Sequence, residues 1–145
     1  MTQTIKKFIN DSAAARWTAL ILIASMMLFA YMFVDVMAPI QSYAETQLDW
    51  NPTIYGNYAS SEYLLNICGF LILAGFILDK TGIRFTGLLS GSLMVIGATI
   101  KFIGISEWFQ GTGFCEWLNS WWTAMPGSAK MASLGFMIFG CGCEM

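Results

Sequence analysis

Histidine is absent from these 145 residues, and only 11% of them carry a charge. The first absence excludes His-based acid–base catalysis, His-ligated haem and His-ligated zinc within the chain. The second excludes a water-facing coat, since an ordinary soluble domain has about 25% charged residues. Seven basic residues against nine acids, a net charge of −2, give no field for nucleic acid. Low hydrophobicity, which disorder requires, is missing too: 57% of the residues are hydrophobic. What is present is long apolar runs, with a mean hydropathy of +0.61. The class is an integral, multi-pass membrane protein, and the fold class is all-α, a transmembrane helical bundle forming one small unit.

A spanning helix needs about 20 mostly apolar residues. Trp17 to Val34 is an uncharged run whose apolar character continues past Asp35 to Ile40, where Pro39 is expected to end the helix. The run is too long for a signal-peptide core of about 7–15 residues, so a retained helix is expected. Asn57 to Leu78 forms the second span and Phe85 to Ile105 the third, interrupted only by Lys101. Ala129 to Met145 is apolar again. The stretch from Met131 holds 15 residues, about 22 Å of helix, against a hydrocarbon core of about 30 Å. A partial fourth span is therefore expected, with the chain as the front of a longer protein.

Basic residues set the orientation. Residues 1–15 form an N-terminal arm with Lys6 and Lys7, and Arg16 follows; Lys80 and Arg84 lie between spans two and three. Gln41 to Ser61 holds neither Lys nor Arg but carries Glu45 and Asp49. The N-terminus is expected in the cytoplasm of a cell (inner) membrane, with the first and third loops outside. The third loop, Ser106 to Ser128, holds Trp108, Trp117, Trp121 and Trp122, four of the six tryptophans. Indole favours the lipid–water boundary, so a short interfacial helix over Glu116 to Met125 is expected. Gly87 and Gly91 form a G-x-x-x-G pair in span three, and Gly135, Gly140 and Gly142 lie in span four, so close helix packing is expected.

Gly75 to Arg84 reads G-F-I-L-D-K-T-G-I-R, the pattern G-x-x-x-D-[RK]-x-G-x-[RK]. Gly75 permits close packing at a helix end, Gly82 a tight reversal with positive φ. Lys80 and Arg84 hold the loop on the cytoplasmic side, beside the acid Asp79. This decapeptide, placed between spans two and three, resembles the signature of the major facilitator superfamily of secondary transporters. Gly135 to Glu144 also resembles that family's glycine-rich fourth span. Many members carry an arginine early in that span; here Phe136 stands in its place. The resemblance covers residues 16 to 145. It implies a twelve-helix carrier of two six-helix halves, each made of two inverted three-helix repeats. This chain would supply the first repeat and most of one further helix, and the C-terminal remainder would be its missing partner. The resemblance assigns Gly75, Asp79, Lys80, Gly82 and Arg84 to a conformational-switch loop. Asp79 would pair there with the positive end of a helix in the other half.

Ionisable residues inside spans are costly and usually face a cavity or partner. Asp35, about one turn before Pro39, is a candidate substrate or proton site, with a solvated helix end as its plainer role. Asn66 in span two and Glu144 in span four are further candidates. Glu62 suits a helix N-terminus, and Lys101 is expected to snorkel to the headgroups. Cys68, Cys115, Cys141 and Cys143 form no metal or disulfide pattern, and no cofactor is implied. No phosphate loop and no spaced catalytic carboxylate pair is present, so an enzyme is not expected. The expected function is secondary active transport of a small solute across the lipid bilayer by alternating access, with protons or another coupling ion as partner. The alternative is a complete four-helix membrane protein acting as an oligomeric exporter or channel subunit.

Overall fold

The computed structural model describes residues 12–145, and among these all regular structure is helical. Lys6 and Lys7 of the N-terminal arm lie outside the described residues. Three stretches, Ala13–Gln47, Pro52–Thr81 and Ile83–Ile105, are long and apolar enough to cross a membrane. The chain divides after Val36 into two units.

The first unit is α1, Ala13–Asp35. Ser12 starts it, its Oγ accepting from the Ala15 amide at 3.5 Å, which satisfies one of the unpaired amides of a first turn. Its 23 residues run about 35 Å, more than the hydrocarbon core. The helix ends at Asp35, before Pro39. That proline instead sits inside a short 3-10 turn, Ala38–Ile40, where its fixed φ and missing amide are tolerated at the start of a helical segment.

The second unit runs from Met37 to Met145. Here α2, Gln41–Gln47, leads to α3, Pro52–Leu65. Asn51 caps α3 by accepting from the Ile54 amide at 2.9 Å, and Pro52 occupies its first turn. The second span therefore begins five residues ahead of the expected Asn57. It is also broken. Asn66–Phe70 winds as a π-helical segment in which Gly69 takes φ 100°, before α4, Leu71–Thr81, resumes. One residue, Gly82 at φ 83°, connects α4 to α5, Ile83–Ile105. Then come α6, Glu107–Gln110, α7, Gly113–Trp121, and α8, Gly127–Cys143.

The core lies along α8, which packs against α5 on one side and α3 on the other. Glycine makes the α5–α8 contact possible. A Cβ on Gly97 would collide with the backbone of Phe139 and come within 2.6 Å of the Gly135 carbonyl. A Cβ on Gly135 would collide with the Lys101 amide and meet the Gly97 carbonyl at 2.7 Å. Polar groups tie both contacts of α8, the one with α5 and the one with α3, as expected where lipid provides no hydrophobic drive between helices. Ser90 Oγ donates to the Gly142 carbonyl at 2.5 Å, and Ser61 Oγ to the Ser133 carbonyl at 3.2 Å. The expected packing role of Gly87 is not met: a Cβ there would touch nothing within 4 Å, because that face of α5 turns away from α8.

Candidate functional site

The most unusual feature of the second unit is a pair of buried charges. Lys101 on α5 is 2% exposed and Glu62 on α3 is 3% exposed. Lys101 follows Gly97 by four residues, so it shares the α8-facing stripe. The close approach at Gly97 and Gly135 then holds its side chain inside the seam. Its Nζ lies 4.4 Å from the centroid of the Phe136 ring and 5.5 Å from that of Tyr58. Those two rings stack on each other, with centroids 5.0 Å apart and planes 15° from parallel. The ammonium thus faces two aromatic π-systems, an attraction worth about 2 kcal/mol where water is excluded. Glu62 packs against α8 at Gly140, where a Cβ would collide with the Glu62 carbonyl. Its carboxylate is near enough for its charge to act on both Lys101 and Tyr58.

Both charges depart from the sequence expectation. Lys101 does not snorkel: the aromatic pair and the glycine crossing hold it in the bundle. Glu62 is not at a helix N-terminus, because α3 starts at Pro52 and places it about three turns further in. Below the rings, Asn66 follows Glu62 by four residues, and its π-helical segment touches α8. Both polar atoms of the Asn66 side chain are buried and find no hydrogen-bond partner among the described residues, as do the Tyr58 hydroxyl and Ser133 Oγ. Above the rings, Trp50 is wholly buried, lies 5.3 Å from the Tyr58 ring, and donates from Nε1 to Ser128 Oγ at 3.1 Å. A polar and aromatic column therefore runs down the α3–α8 seam through Trp50, Tyr58, Lys101, Glu62 and Asn66. Such a column can hold a charge, orient a polar ligand or exchange a proton.

Asp35, in the first unit, is the last residue of α1 and is exposed. Glu144 is exposed just past the end of α8. In the loop motif, Gly75, Asp79, Lys80, Gly82 and Arg84 are all exposed. A Cβ on Gly75 would meet nothing within 4 Å, so the close packing expected there is absent among the described residues. Gly82 makes the reversal, its amide donating to the Leu78 carbonyl at 2.9 Å. Lys80 Nζ lies 4.5 Å from the Phe76 ring centroid. No group of three His, Cys, Asp or Glu side chains among the described residues could hold a metal ion.

Sequence reasoning missed Lys101 and Glu62 as a site. Each is one charge in an apolar run, and only the tertiary seam brings them to the same rings. No family profile, curated protein or solved structure matches the chain.

Proposed function

We propose that this chain is the N-terminal portion of a secondary carrier that moves a small solute across a membrane by alternating access, as its likeness to the major facilitator superfamily implies. The N-terminus and the Gly82 turn would face the cytoplasm of a cell membrane, in keeping with Lys80 and Arg84 beside that turn. One observation carries the reading: an ammonium and a carboxylate are both buried on helices apolar enough to cross a bilayer. Charges at that depth cost about 2.5–3.5 kcal/mol or more each and are kept for ion or substrate handling. The unsatisfied Asn66, Tyr58 and Ser133 groups on the same seam offer both donors and acceptors to a polar solute. No bond in the solute is broken; the work is binding, and reorientation of helices around the bound state.

The test is uptake in intact cells expressing the protein, using labelled sugars, organic acids, amino acids and peptides, with and without a proton gradient. Uptake of one class above that of cells lacking the protein, abolished in Glu62→Gln and Lys101→Met at unchanged membrane abundance, supports the carrier. Uptake that both variants retain in full removes the seam from the transport route.

A further inference from the structure

The outer helix α7 has two unlike faces. On one, Phe114, Trp117 and Trp121 form a continuous ladder. Centroids are 5.7 Å apart with planes 22° from parallel for the first pair, and 5.9 Å and 16° for the second. All three are open, at 51%, 54% and 77% exposure. On the other face, Cys115 and Asn119, one turn apart, meet the start of α8. Asn119 Oδ1 accepts from the Gly127 amide at 2.5 Å, and a Cβ on Gly127 would sit 2.8 Å from the Cys115 carbonyl. The Lys130 ammonium donates to the Leu118 carbonyl near the C-terminus of α7, where a cation is favoured. The helix is thus clamped to α8 by its small and polar face, and the clamp aims the ladder outward.

We propose that α7 is a bilayer-surface helix whose Phe114–Trp117–Trp121 ladder inserts among the glycerol and upper acyl groups of zwitterionic phospholipid. Three observations select lipid as the occupant. The helix follows by a short connection the end of α5, which is long and apolar enough to cross a bilayer, so on the membrane reading it lies near the end of that span. Its exposed side chains are indoles and a phenyl, and indole prefers that level because its ring is apolar while its N–H needs a partner. Charge points the same way: α6 and α7 carry Glu107 and Glu116 but no basic residue, and the neighbouring Lys130 ammonium is engaged by the Leu118 carbonyl, so anionic headgroups gain little here. The inference rests on the membrane reading and is independent of transport.

The experiment uses the full chain in phosphatidylcholine vesicles, with every tryptophan except Trp50 and Trp121 changed to Phe. Trp50 is fully buried and supplies a constant background. Phosphatidylcholine brominated near the ester end of its chains is expected to quench Trp121 several-fold more than lipid brominated near the methyl end. Aqueous acrylamide is expected to reach it poorly. Quenching by acrylamide at the rate of free indole, with neither bromolipid effective, would make α7 a water-facing lid and overturn the inference. Shielding from all three quenchers would indicate a protein cover, such as a second copy, and overturn it equally. If the four-fold variant does not fold, subtracting the quenching of Trp121→Phe from that of the unaltered chain reads the same indole.

Discussion

The Lys101 ammonium stands 4.4 Å from the centroid of the Phe136 ring, so α5 contributes a cation to the aromatic face of α8 in the interior of the bundle. That charge is lodged where Gly97 and Gly135 let the backbones of α5 and α8 meet.

Lys101→Met removes the ammonium at nearly constant volume and leaves the Glu62 carboxylate buried beside a neutral neighbour. Stranding one member of a buried pair costs about 3–5 kcal/mol, so thermal unfolding in detergent is expected at a clearly lower temperature. Glu62→Gln in the same chain should restore much of the loss, with a coupling of about 1–3 kcal/mol in a double-mutant cycle. Strictly additive single effects would show that the two charges do not sense each other.

Gly135→Ala and Gly87→Ala differ by placement alone. The first drives a methyl into the α5 backbone, and overpacking of this kind costs about 1–3 kcal/mol or more. The second meets open space and gains the helix preference of alanine, about 0.5–1 kcal/mol. Equal unfolding midpoints for the two variants would falsify the crossing described for α5 and α8.

Asp79→Ala and Gly82→Ala separate stability from conformational control. Asp79 is exposed, so its loss should change stability by no more than about 0.5 kcal/mol. On the carrier reading, uptake should nevertheless fall. Gly82→Ala forces a methyl-bearing residue to φ 83°, and a strained residue of this kind costs about 1–3 kcal/mol. Undiminished uptake by a normally expressed Asp79→Ala chain would remove the switch role from the loop.

Cys115 makes a pH-dependent prediction. Burial raises its thiol pKa above the ordinary 9.0, and Glu116 adds to the rise; Lys130 and a backbone hydrogen bond with Ser128 oppose it. Raising the folded-state value favours the neutral thiol. The contribution to stability is therefore complete below pH 9.0 and is lost as pH climbs through the higher folded value. Maleimide labelling of Cys115 in the folded chain should be slow at pH 7 and rise only above pH 9. Gly127→Ala, which pushes against the Cys115 sulfur at 2.9 Å, should speed labelling by loosening the clamp. Labelling at pH 7 as fast as that of a free thiol would contradict the burial.

The apolar runs that make the long helices were legible because length and the scarcity of charge suffice to mark them. Their ends were less so. Asn51 and Pro52 are a cap and a first-turn proline in consecutive positions, a signal present in the sequence but hidden by the polar residues around Tyr55 and Asn57. Pro39 suggested a helix end, whereas Asp35 provides it and the proline opens the next turn. The break at Gly69 had no sequence signal, since glycine inside an apolar run reads equally as a packing residue. Lys101 and Glu62 escaped recognition for a related reason. A helix apolar on all sides has no periodicity to show which stripe faces a neighbour, so one charge on it gives no direction.

The left-handed Gly69 divides one lipid-length rod between two allegiances. Its first part, α3, is fastened to α8 by Ser61 and the Tyr58–Phe136 stack, while its second part, α4, leans on α5 through the single-residue turn at Gly82. At that joint the rod changes partner: residues before it share the α8 seam with the stacked rings, and residues after it run on to the Gly82 turn and the hairpin with α5.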